Sequence, residues 1–235
     1  MTSQFSLDKQ QGASRRTFLF RSLAGVGIAA PLGLLVSCAQ PGASVSETAP
    51  GAHNLTTPTS TATQNMTAQV KKYFTEIMDD ENAHVTFIKD AISKAGATAR
   101  PKPTFKDLQQ PDMKSFAKLA QTFENLGVGA YLGAASSISN KQILEAAGSI
   151  LTVEARHAGF LNALENSNLS PNGSFDKPIS QSDIVKAVSP YISNLNGGKD
   201  PSQSLRSDDD ILNFALLLEY LEAEFYNTNV PKLLK

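Results

Sequence analysis

The chain has 235 residues, of which 41% are hydrophobic and 18% charged, with a formal charge of −1. This composition describes a globular protein and excludes collagen-like, disordered and disulfide-rich classes; the near-neutral balance leaves no basic field, so no nucleic-acid partner is expected. One Cys excludes an internal disulfide and a Cys-type zinc site. The chemistry has to come from carboxylates and three His.

Ser14-Arg15-Arg16-Thr17-Phe18-Leu19 precedes an apolar run from Leu23 to Val36. A basic stretch followed by a short apolar one is the pattern of a secretory signal. The run falls short of the roughly 20 residues that span a bilayer. The twin Arg followed by Phe-Leu resembles a twin-arginine export signal, with Phe20 where a Lys is usual. Leu35-Val36-Ser37-Cys38 resembles a bacterial lipobox, which implies that Cys38 is lipidated and becomes the new N-terminal residue. An ordinary signal with a stray Cys is the alternative. On the lipobox reading, residues 1–37 are removed and Cys38 anchors the exported protein to a membrane of the bacterial envelope, on its periplasmic side. The remaining chain then carries 17 basic against 21 acidic residues. Such a protein is held at the membrane by acyl chains, not by attraction to anionic headgroups. Residues 38–66 are mostly Ala, Ser, Thr, Pro, Gly and Asn, with Glu47 as the one charge. They carry no apolar periodicity and read as a disordered tether. His53, within it, reads as solvated.

Residues 67–235 read as all-α. The first helix is expected from about Thr67 to Ser93, on the seam Val70, Phe74, Ile77, Glu81, His84, Ile88, Ala91. Steps of four and three keep one face inward. Gly96, Pro101 and Pro103 break it. The second begins after Pro111 with Asp112 as N-cap, on the seam Met113, Ala117, Ala120, Glu124, Gly127, Tyr131, Ala134. A turn at Ser136–Asn140 leads to the third, on Ile143, Ala147, Ile150, Glu154, His157, Leu161. So short a turn makes the two antiparallel neighbours. A connector from Ser167 to Ser207 holds one short helix from Ser182 to Tyr191, interrupted by Pro190. The last helix starts at Ser207-Asp208-Asp209-Asp210 and stops near Asn227–Pro231, on Leu212, Leu216, Glu219, Ala223, Tyr226. Four long helices with one seam each make a four-helix bundle.

Each seam carries an acid. Two carry Glu-x-x-His, Glu81 with His84 and Glu154 with His157. Positions three apart share a helix face. The others carry a Glu seven residues before a Tyr, Glu124 with Tyr131 and Glu219 with Tyr226. A lone Glu in an apolar seam is usually a snorkelling edge residue. One charge buried without a partner costs several kcal/mol, and four acids with two His would exceed a bundle's net stability of about 5–15 kcal/mol. Divalent metals remove that cost by turning the side chains into ligands. Two Glu and two Glu-x-x-His are the ligand set of di-iron and di-manganese bundles, so two Fe or Mn ions are the expected cofactors, iron first.

Asp210 to Tyr226 resembles the first helix of the ferritin-like proteins related to plant desiccation-induced proteins. Asp79 to Val85 resembles their second helix, Phe123 to Ala135 their third, and Val153 to Ala158 their fourth. The family's opening segment closes this chain, which implies a circularly permuted ferritin-like bundle. A cut in an exposed hairpin with close ends permits that. A homodimer that exchanges the last helix is the alternative. The resemblance to dimetal bundles implies Glu124 and Glu219 as terminal ligands, Glu81 and Glu154 as bridges, and His84 and His157 on one metal each. Tyr131 and Tyr226 would touch these ligands as redox-active candidates, or else be plain core tyrosines. Glu222 is expected at the surface rather than as an extra ligand. Gly127 stands where rubrerythrin-type peroxidases carry a further Glu, which argues against a peroxidase. The implied activity is that of a dimetal oxidase, ferroxidase or catalase-like enzyme acting in oxidative or desiccation stress. The alternative is a non-catalytic envelope stress protein.

Overall fold

A computed structural model describes residues 67–235. The expected signal at 1–37, Cys38, the tether to 66 and His53 lie outside them. The described residues form α1 (Ala68–Lys94), β1 (Thr104–Phe105), α2 (Met113–Ala135), α3 (Lys141–Leu164), α4 (Gln181–Val188), a 3-10 turn (Ser189–Tyr191), β2 (Ile192–Asn194) and α5 (Asp208–Leu233). No helix among them is long and apolar enough to cross a membrane.

The long helices start where a side chain replaces a missing backbone partner. Thr67 accepts from the Val70 amide, Asp112 from Ser115, Asn140 from Gln142 and Ile143, and Ser207 from Asp210. Asp208, Asp209 and Asp210 then place three acids in the first turn of α5, where the helix dipole favours them. Asp208 also accepts from the amides of Ser139 and Asn140. That clamps the start of α5 to the α2–α3 turn.

The strongest packing is between α1 and α5 and between α2 and α3. Lys71 Nζ donates to the Lys235 carbonyl oxygen at 3.0 Å, and Asn82 bonds Asn227 in both directions. At the other end the Arg100 amide donates to Asn213. These pairings run α5 antiparallel to α1 within the one chain. The core gathers Phe74, Phe116, Phe123, Leu161, Phe225 and Tyr226 at one end and Ile88, Ile92, Ile150, Leu212 and Leu216 at the other.

Two expectations about α5 change. It continues through Pro231 to Leu233. A proline costs a helix its hydrogen bond to the preceding turn, but here Val230 is buried and Asn229 bonds the Leu108 carbonyl and the Gln110 amide. Tertiary contacts carry the last turn. Nor is α5 buried along one seam only, because Leu216 to Ala223 is buried without interruption.

The connector also holds more than a helix. Its expected helix divides into α4 and the 3-10 turn at Pro190, and β2 pairs antiparallel with β1 of the α1–α2 loop. Ahead of α4, the Ile179 amide donates to the Gly129 carbonyl at 2.9 Å. A Cβ at Gly129 would collide with the Ile179 side chain, and one at Gly133 with its carbonyl oxygen. The two bare positions on α2 form the slot through which the connector crosses.

Candidate metal centre

Glu81 and His84 of α1, Glu124 of α2, Glu154 and His157 of α3 and Glu219 of α5 meet in the interior. The four Glu are wholly buried, and His84 and His157 are 8% and 6% exposed. His84 Nδ1 lies 3.3 Å from Glu81 Oε2, from Glu154 Oε1 and from Glu219 Oε2. His157 Nδ1 lies 3.1 Å from Glu81 Oε1 and 3.2 Å from Glu124 Oε2. Two groups follow, each able to hold an ion. One is Glu81, His84, Glu154 and Glu219; the other is Glu81, Glu124, Glu154 and His157. Glu81 and Glu154 belong to both.

The donor atoms fit metal ions better than they fit one another. Glu81 Oε1, Glu124 Oε2, both oxygens of Glu154, Glu219 Oε2 and His157 Nδ1 are buried with no hydrogen-bond partner among the described residues. His157 Nδ1 is near two carboxylates yet aligned with neither as a donor. Such atoms are rare in folded proteins unless something else satisfies them. Bonds of about 2.1 Å to a divalent ion put neighbouring ligand atoms roughly 3.0–3.4 Å apart in octahedral and tetrahedral arrangements. The observed separations fall in that range.

The tyrosines tie the two lone acids across the bundle. Tyr131 donates its hydroxyl to Glu219, and Tyr226 donates to Glu124 Oε1 at 2.5 Å. Each Tyr serves the acid of the opposite helix, not the one on its own seam, because α2 and α5 run antiparallel. Burial first, then the adjacent carboxylates, pushes both phenols well up. They therefore stay protonated and act as donors.

Without metal the cluster holds protons. Burial, then the Glu124 charge, pushes Glu81 up to about 7, against the lowering effect of the two His. Burial and then the Glu81 charge push Glu154 well above the carboxylate range. Burial opposes charge on His157, but Glu124 and Glu81 outweigh it and push it up to about 11. His84 moves the same way, burial being outweighed by Glu154, Glu219 and Glu81.

Three features were not expected from the sequence. Asp80 Oδ2 lies 3.1 Å from His157 Nε2. Its one sequence signal is adjacency to Glu81. Glu222, expected at the surface, is 4% exposed, because α5 is covered on more than one face. Its neighbour is Gly127, where a Cβ would stand 2.6 Å from Glu154 Oε2 and 3.3 Å from Glu222 Oε1. Lastly, a cavity of about 470 Å3 borders Tyr131, lined by Ile88, Ala91, Ala134, Ile143, Ala147 and Leu212 among others. Ile143 and Ala147, expected in the seam, are only half-buried for that reason.

The ferritin-like domain family matches residues 44–167 and 207–234 of this chain. The match covers more than half of the sequence, and the protein belongs to that family. The unmatched stretch between the two segments coincides with the connector. No curated protein and no solved structure matches the chain.

Proposed function

We propose that this protein holds two iron or manganese ions in a carboxylate-bridged centre, and that it oxidises Fe2+ or reacts with dioxygen or peroxide in oxidative or desiccation stress. The observation that carries the reading is the convergence of buried carboxylate and imidazole atoms that have no hydrogen-bond partners. Oxygen and imidazole donors suit Fe and Mn, and iron is the first choice.

In this assignment Glu81 and Glu154 would be shared by the two ions as bridging ligands, Glu124 and Glu219 would each hold one as terminal ligands, and His84 and His157 would each offer a ring nitrogen to one ion. Such ions supply one-electron chemistry toward oxygen species when bound. The chain's own groups orient the ligands and keep water away. Tyr131 and Tyr226 hold the terminal carboxylates by donated hydrogen bonds. Asp80 accepts from His157 Nε2, which leaves Nδ1 free to face the carboxylates. The apolar cavity behind Tyr131 suits a small apolar reactant such as dioxygen.

The family's helix order is taken to be circularly permuted here. The contact of Lys71 with Lys235 supports this, since it sets the start of α1 beside the end of α5. Export and a lipid anchor at Cys38 rest on Arg15-Arg16 and on Leu35-Val36-Ser37-Cys38.

The test is elemental analysis of protein purified from its host, followed by Fe2+-oxidation and peroxide-consumption assays on the parent and Glu81→Ala. Two ions per chain and an activity lost in the variant are expected. No ion after reconstitution overturns the centre. Ions without either activity point instead to a non-catalytic envelope protein.

A further inference from the structure

Glu222 lies one turn beyond Glu219 on α5. It is 4% exposed, and no side-chain hydrogen bond among the described residues reaches it. The groups that act on it electrically are Glu154, Glu81, Glu124 and Glu219, in that order. A carboxylate buried near four others without a donor is an unfavourable arrangement unless a proton or a cation compensates it.

Gly127 explains how the carboxylate gets there. On α2, Gly127 follows Glu124 by one turn and faces the same interior. A Cβ at Gly127 would stand 2.6 Å from Glu154 Oε2, so close that this carboxylate would have to shift, and 3.3 Å from Glu222 Oε1. Glu154 Oε2 of α3 and Glu222 Oε1 of α5 therefore both lie over the bare stretch of α2 backbone at Gly127. Glu154 Oε2, one of the two oxygens there, has no hydrogen-bond partner among the described residues.

We propose that Glu222 is a fifth carboxylate ligand of the centre, reaching it beside Glu154 through the opening that Gly127 leaves. The inference rests on the dimetal reading above. It has a consequence in charge. Four carboxylates neutralise two divalent ions. A fifth makes the divalent pair net negative and offsets part of the excess charge of a trivalent pair. Glu222 thus favours the oxidised, trivalent state of the bound ions over the divalent one.

The full chain loaded with Co2+ tests this, because the intensity of the visible Co2+ absorption rises as coordination number falls. Glu222→Gln keeps the shape and removes the charge. The expected result is that Glu222→Gln binds Co2+ about tenfold or more weakly at one position and absorbs more intensely than the parent. With iron, its midpoint potential shifts upward. Gly127→Ala, which crowds Glu154, is expected to alter the same spectrum. Glu222→Asp, which keeps the charge on a shorter arm, gives the same spectroscopic readout if the Gln variant does not fold. Two Co2+ bound by Glu222→Gln with parental affinity and an unchanged spectrum overturns the proposal and leaves the dimetal centre standing. No Co2+ uptake by the parent overturns both.

Discussion

Asp80 Oδ2 sits 3.1 Å from Nε2 of His157, on the side of the imidazole away from the carboxylate cluster. An ionised carboxylate only accepts, so Nε2 carries the hydrogen and Nδ1 is left to face Glu81 and Glu124. Partners of this kind fix the tautomer of metal-binding His, and their loss costs about 10–100-fold in metal affinity. Asp80→Ala is expected to weaken one of two ions by that factor and to spare the other. Calorimetric titration with Mn2+ reads this as two separated binding steps in place of the parental profile.

The shared and unshared acids should behave differently. Glu81 belongs to both candidate groups, Glu124 and Glu219 to one each. Glu81→Gln is expected to lose both ions. Glu124→Gln and Glu219→Gln are each expected to retain one. Metal content after desalting checks it, and equal losses in all three variants contradict the two-group arrangement.

Removing a tyrosine hydroxyl leaves a buried carboxylate oxygen without its donor. Tyr226→Phe does this to Glu124, and Tyr131→Phe to Glu219. Each is expected to destabilise the metal-free protein by about 1–3 kcal/mol. Urea denaturation measures it. Plain core tyrosines would lose little, because the ring itself is retained.

The pH dependence has a definite sign. In the folded, metal-free protein Glu81 is pushed from 4.5 up to about 7, chiefly by burial. The folded state therefore holds this proton more tightly than the unfolded chain. The resulting stability is complete below pH 4.5 and is lost as the pH rises through about 7. Glu154 and Glu222 shift the same way. Metal-free protein is expected to melt at progressively lower temperature as pH rises across this window, and less steeply in Glu81→Gln. Added Mn2+ should reverse the trend, because ligands give up their protons on binding. Melting curves with and without the ion check both halves.

The nearness of Lys71 and Lys235 permits the chain to be re-cut. A short flexible link from Lys235 to Thr67, with new ends opened between Leu164 and Gln181, gives the helix order that the permutation proposal assigns to the family. The re-cut chain is expected to fold and to take up the same number of ions. Failure to fold would count against equivalence of the two orders.

Local periodicity made much of this bundle legible. Glu81 and His84, or Glu154 and His157, lie three residues apart, and an amphipathic seam declares which way they face. The meeting of the six residues in one interior follows from four such seams. Asp80 was not legible, since its role depends on a His of another helix turning its far nitrogen toward it. Glu222 was not either. One seam describes a helix with one buried face, whereas α5 is also covered by the α1–α2 loop and by α2, and Gly127 gives the extra acid its room. The β1–β2 pairing joins Thr104 with Asn194 and Phe105 with Ile192. Those residues lie too far apart in the chain for any local pattern to report. Pro231 marked a stop that packing overrode.

The contact between Lys71 and Lys235 also determines how the molecule responds to force. The start of α1 and the end of α5 lie side by side, at the same end of an antiparallel helix pair. Tension between them opens α1 from α5 one turn at a time, as a zipper, instead of shearing all their contacts at once. On α5 the opening reaches Glu222 and then Glu219, and on α1 it reaches Glu81, while α2 and α3 stay packed on each other. Because Glu81 belongs to both groups, opening this one helix pair disturbs both halves of the centre at once.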